Sequence, residues 1–98
     1  MIDIKQLPEF ETWLNSLKDN ATQLRLKIRL KKVSLGNLGD VKPVGEGVWE
    51  MREFFGSGWR MYYIQQGQTI IVMLGGGDKS TQQRDIEKAI ALSKQIKE

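Results

Sequence analysis

The chain of 98 residues contains no cysteine and no histidine. The first absence excludes disulfides, a thiolate metal site and a cysteine nucleophile. The second removes the commonest general base and the commonest zinc ligand, and with them any hydrolase built on a serine–histidine pair. Long apolar runs are also missing. None approaches the roughly 18–20 residues that cross a bilayer, and the opening MIDIKQLPEF lacks the apolar centre of a signal peptide. The expectation is a cytoplasmic protein with no membrane partner. Acidic residues are absent from Asn20 to Gly39, where Arg25, Lys27, Arg29, Lys31 and Lys32 crowd together. Such a stripe attracts polyanions through counterion release. It equally describes a solvated helix face or a surface met by an acidic protein. What is present, 40% hydrophobic residues with three Trp, two Tyr and three Phe, is enough for one modest core and one domain, residues 1–98.

IDIKQL reads as a short first strand. Pro8 suits the first turn of a helix, with Glu9 and Glu11 near its positive end and Phe10, Trp13, Leu14 and Leu17 at helical spacing. LRLKIRLKKVSLGN alternates apolar and charged residues, which also suits a strand. Its length, its helix-forming residues, a capping box from Asn20 to Gln23 and the stop at Gly36-Asn37 favour a helix. That helix has two apolar sides, one of Leu24, Ile28 and Leu35 and one of Leu26, Leu30 and Val33. It therefore needs two things to pack on: its own sheet, and a partner. GNLGDVKPVGEG reads as a loop. VWEMREFF, WRMYYIQQ and TIIVMLG follow as three strands joined by GSG and GQ into an antiparallel meander. A last helix begins with a capping box from Ser80 to Gln83 and runs to the end. The fold class is α+β.

With Phe55 paired to Trp59 and Gln66 to Thr69, alternation sorts the meander into two faces. Trp49, Met51, Phe55, Trp59, Met61, Tyr63, Val72 and Leu74 form the core face under the first two helices. Glu50, Arg52, Arg60, Tyr62, Ile71, Met73 and Gly75 form the other, with Arg52 opposite Tyr62 and diagonal to Arg60. Singly, these polar residues are ordinary strand positions. Together with Lys79, which the glycines deliver to the same end, they describe a concave cationic patch suited to phosphate. GGGDKST is not a nucleotide-binding P-loop, because Asp78 stands where glycine must precede the lysine. It remains a generic anion site at a helix start, or a simple turn.

GDVKPVGEGVWEMR, GSGWRMYYI and VMLGGGDKSTQQRDIEKA resemble the RelE/HigB-like killer proteins of bacterial type II toxin–antitoxin modules, in particular their phage-derived addiction-module group. The resemblance covers nearly the whole chain. It implies a RelE-like fold, with two N-terminal helices on a small antiparallel sheet and a C-terminal helix. The activity implied is ribosome-dependent endonucleolytic cleavage of mRNA, without metal or other cofactor, by attack of the substrate's 2′-hydroxyl on the adjacent phosphate. Arg60 and Arg52 match the family's functional arginines and would stabilise the transition state, with Lys79 and Lys42 placing the RNA backbone. Glu50 is a candidate base or the ion-pair partner orienting Arg52, and Tyr62 would stack on a base or bind phosphate. The tyrosine that some relatives carry near the C-terminus has no counterpart here, and Gln82 or Asp85 occupies its region. The run Arg25, Lys27, Arg29, Lys31 and Lys32 would dock on ribosomal RNA. The partners implied are mRNA on the ribosome and a helix-turn-helix antitoxin, through which alone the chain would meet operator DNA. A ParE-like inhibitor of DNA gyrase and a non-enzymatic nucleic-acid-binding module are the rival readings.

Overall fold

The computed structural model describes residues 1–96. The first strand, β1 (Asp3–Gln6), leads into α1 (Pro8–Ser16), which has proline at its start and buries Phe10 and Leu14. α2 (Asn20–Ser34) is a helix, as expected, but its N-cap is Asp19. The Asp19 carboxylate accepts from the Ala21 N–H at 3.1 Å and the Thr22 hydroxyl at 2.8 Å. Gln23, assigned to a capping box with Asn20, instead donates to the Leu17 carbonyl at 2.7 Å. At the other end Gly36 adopts φ 98°. The N–H groups of Gly36 and Asn37 then close onto the carbonyls of Val33 and Lys32, each at 2.9 Å, which is a Schellman stop.

The segment expected as a loop contains a strand. β2 (Val41–Gly45) pairs antiparallel with β3 (Val48–Arg52) through a tight turn at Glu46 and Gly47, both with positive φ. A proline inside a strand ordinarily breaks its ladder. As β2 is the sheet edge, the missing N–H of Pro43 costs no ladder bond that matters. β4 (Arg60–Gln66) and β5 (Ile70–Gly77) complete the expected meander. β1 joins it parallel to β5, giving the order β1-β5-β4-β3-β2.

α1 and α2 cover one face, burying Phe10, Leu14, Leu26, Leu30 and Val33 against Met51, Met61, Tyr63, Ile71 and Met73. The expected assignment of Val72 and Leu74 to this face is therefore wrong, and Ile71 and Met73 take their places. Gln66 pairs with Ile70 rather than Thr69, and a one-residue slip reverses every side chain of the strand. A bulge at Leu74, between the pairs Tyr63–Met73 and Tyr62–Gly75, then returns the glycine end to its expected face, though two residues out of the expected pairing.

The second face is not open throughout. A 3₁₀ turn (Lys79–Thr81) leads into α3 (Gln82–Ser93), which packs Ala89, Ile86, Ile90 and Leu92 over Val48, Tyr62 and Leu74. The Ser80–Gln83 capping box is not used; Asp78 caps the turn and α3 closes at Ser93. The helix was expected to run to the end of the chain, and its final two residues lie outside those described. No helix among the described residues is long and apolar enough to cross a membrane.

Candidate functional site

Two rows of residues cross the sheet on the α3 side. Lys42, Glu50, Tyr62 and Gly75 are successive partners in one, and Arg52, Arg60 and Gly77 in the next. Arg52 thus stands directly opposite Arg60, not opposite Tyr62 as expected. Like charges in that relation are destabilising unless something intervenes. Here the Asp40 carboxylate accepts from Arg52 Nη2 at 3.0 Å, and Glu50 Oε1 lies 3.8 Å from Arg60 Nε. Glu50 therefore partners Arg60 rather than Arg52.

The compensation is incomplete. Arg52 Nε, Arg60 Nε and Arg60 Nη1 are buried atoms with no hydrogen-bond partner. Guanidinium donors are normally satisfied when buried, so three unpaired ones at one place mark a position shaped for an acceptor. Phe54, in the loop after β3, is 72% exposed. Its ring centroid is 5.4 Å from the Arg52 guanidinium and 5.6 Å from that of Arg60. This phenylalanine is not among the residues that the strand pattern singles out. Its signal was the pair Phe54-Phe55 beside a glycine turn, of which one member packs on the core and the other faces solvent.

Glu50 is almost fully enclosed, at 1% exposure, and Gln82 Nε2 donates to its Oε2 at 2.9 Å. One carboxylate oxygen is thus hydrogen-bonded and the other lies in ion-pair range of Arg60, which makes Glu50 an anchor for Arg60 more readily than a base for a substrate. Gln82, placed by the first turn of α3, holds that anchor. Tyr62 is fully buried, so the expected stacking on a nucleobase is excluded. Its hydroxyl has no partner of good geometry. Burial first, and then the Glu50 and Asp85 carboxylates, hold its proton on far above the ordinary phenol range. Tyr62 is a neutral donor, not a base.

The three glycines are not a flexible turn. They are the end of β5, and none has positive φ. A Cβ on Gly76 would lie 2.4 Å from the Trp13 ring, and one on Gly77 would lie 1.9 Å from Asp85 Oδ2. Glycine is needed there so that α1 and α3 can close on opposite faces of one strand. Nor is the following helix start free for an anion. Asp78 accepts from the Ser80 N–H at 2.9 Å and from its hydroxyl at 2.5 Å. That hydroxyl is the main reason the Asp78 carboxyl is held below its usual range. Lys79 does reach the site's rim: its Cβ and Arg60 Nη1 flank the Cβ position of Gly58, at 3.4 and 3.9 Å. Lys42 is exposed on β2 in the row of Glu50.

The basic run of α2 divides. Arg25, Lys27, Lys31 and Lys32 are exposed, and Arg25 lies over the Phe55 ring at 3.8 Å. Arg29 is buried, and its expected contact with RNA is not open to it. Its guanidinium donates to the carbonyls of Leu38, Asp40 and Arg52 and pairs with Glu53.

A family model described as Phage derived protein Gp49-like (DUF891) matches residues 9–98. A protein of Haemophilus influenzae, itself described as uncharacterized, is 38% identical over 95 residues, covering 97% of this chain and 96% of its own. A match of that extent, continuous from α1 through the arginine rows to α3, shows that the chain belongs to the Gp49-like family of phage-derived proteins.

Proposed function

We propose that this protein is the toxin of a type II toxin–antitoxin module and that it cleaves mRNA on the ribosome. The observation that carries the reading is the pair Arg52–Arg60 with three unpaired buried donors beneath an exposed phenylalanine. Family membership and the RelE/HigB resemblance support the same direction. A phosphodiester seated there receives charge-assisted hydrogen bonds from both guanidinia, and Phe54 offers a face on which the neighbouring base stacks. Lys42 and Lys79 hold the flanking backbone. The 2′-oxygen forms its bond to phosphorus as the P–O5′ bond breaks, giving a 2′,3′-cyclic phosphate and a free 5′-hydroxyl. The 2′-hydroxyl proton leaves to solvent, and the departing O5′ takes one from solvent. Arg52 and Arg60 meet the charge that builds on the phosphorane. A helix-turn-helix antitoxin would silence the toxin and bring it to operator DNA.

The test is to add the protein to a reconstituted translation reaction, with and without ribosomes, and to map new mRNA 5′ ends. Arg52→Ala and Arg60→Lys serve as comparisons, because each keeps Glu50 from being left without a cation. New ends that require both the ribosome and the two arginines are the expected result. Intact message alongside inhibition of DNA gyrase would transfer the protein to the ParE-like class.

A further inference from the structure

We propose that the outer side of α2 is a docking surface for an acidic amphipathic helix of a partner protein. Leu24, Ile28 and Leu35 are 59%, 46% and 62% exposed, while Leu26, Leu30 and Val33 on the other side of the same helix are buried. At 100° per residue the three exposed side chains fall within about 40° of arc, so they form one line along the helix. Lys27 and Lys31 border that line on one side, and Lys32 and Arg25 on the other. Among the described residues none of these four cations is paired with a carboxylate. Arg25 is held in place over Phe55, and a groove lined by Arg25, Ile28, Arg29, Lys32 and Glu53 runs along that edge.

The chemistry of the occupant follows from the pattern. An apolar line with cations on both flanks is complementary to a helix bearing apolar residues at i, i+4 and i+7 with carboxylates on both flanks. RNA accounts for the cations but gives Leu24, Ile28 and Leu35 nothing to bury against. A second copy of this chain accounts for the apolar line but brings four cations against four. The inference is independent of the chemistry at Arg60.

The experiment uses the full chain labelled at its Leu and Ile methyls, and an acetylated, amidated 18-residue peptide. The peptide carries Leu at i, i+4, i+7 and i+11, Glu on both flanks and Ala elsewhere. Titration should shift the methyls of Leu24, Ile28 and Leu35 and leave those of Leu26 and Leu30 in place. Ile28→Glu, a change at a half-exposed position, should weaken binding by about tenfold or more. Lys31→Glu should do so as well, whereas Arg52→Ala should bind as the parent does. The proposal fails if the peptide leaves the three methyls unmoved. It fails equally if an unstructured 20-nucleotide RNA moves them and the peptide does not, or if Ile28-dependent self-association appears in sedimentation velocity.

Discussion

At the scale of single residues, the site is a balance of charges in which removal and replacement differ. Arg60 and Glu50 are both buried, and truncating one member of such a pair leaves the other's charge uncompensated, at a cost of about 3–5 kcal/mol. Arg60→Ala should therefore lose both activity and fold, and its inactivity alone carries no weight. Arg60→Lys keeps the charge and loses the planar fork that, in the proposed function, grips two phosphate oxygens. Its expected phenotype is a melting temperature near that of the parent with cleavage reduced at least tenfold, read by thermal denaturation beside single-turnover cleavage. Tyr62 carries a pH signature of its own. Below about pH 10 its hydroxyl is protonated in the folded and unfolded chain alike, and contributes no pH dependence. Above that, the unfolded chain releases the proton while the folded chain, with its raised pKa, retains it. Stability thus falls as pH rises past about 10, at up to ~1.4 kcal/mol per unit. Burial of Tyr63 adds in the same direction. Tyr62→Phe should flatten the decline of the urea midpoint between pH 9.5 and 11; an unchanged slope would remove Tyr62 from the alkaline transition.

At the scale of elements, β5 decides where everything else sits. Its first half takes register from a turn one residue longer than GQ suggests, and the bulge at Leu74 shifts the second half by one residue more, which returns it to the expected face. Alternation made the faces of β3 and β4 legible, since Glu50, Arg52, Arg60 and Tyr62 do share one. It failed on the first half of β5 because the turn after Gln66 is one residue longer than GQ suggests, and Gly75, Gly76 and Gly77 carry no side chains to show the bulge beyond it. The same silence concealed their purpose. Gly76 is a seat for Trp13 of α1 and Gly77 a seat for Asp85 of α3, so the strand works as a thin plate between two helices. Gly76→Ala forces a methyl into the indole and should cost about 1–3 kcal/mol. A loss of that kind lowers the melting temperature by roughly 4–8 °C per kcal/mol in a chain of this size. Gly75→Ala, which meets nothing within 4 Å, is the matched control and should melt within a degree or two of the parent. Equal losses at the two positions would mean that backbone freedom, not contact, is what the glycines supply. β2 was missed for a related reason: Pro43 reads as loop chemistry, and only the edge position makes it compatible with a strand.

At the scale of the whole molecule, one side chain joins the helix layer to the site. Arg29 reaches out of α2 to the Leu38, Asp40 and Arg52 carbonyls and to Glu53. Asp40 in turn holds the Arg52 side chain at 3.0 Å. Gly39, at φ 68°, lets the loop fold round the guanidinium, and a Cβ there would meet it at 3.1 Å. This role was present in the sequence but hidden by composition: Arg29 shares the helix arc of Leu26, Leu30 and Val33, while the other four cations do not. Read as one of five basic residues, it looked like part of an RNA surface. Read by phase, it is a buried staple. Arg29→Lys keeps one positive charge near Glu53 but cannot span three carbonyls, so it leaves buried acceptors unsatisfied at about 1–3 kcal/mol each. The expected variant remains folded at low temperature, melts well below the parent, and cuts RNA more weakly even where it is fully folded, because the Asp40–Arg52 pair loses its backing. Cleavage measured at a temperature where circular dichroism shows no unfolded chain separates the two effects. Parental cleavage there would confine Arg29 to stability, whereas a deficit that Arg52→Ala does not deepen would place both residues on one line of force from α2 to the phosphate.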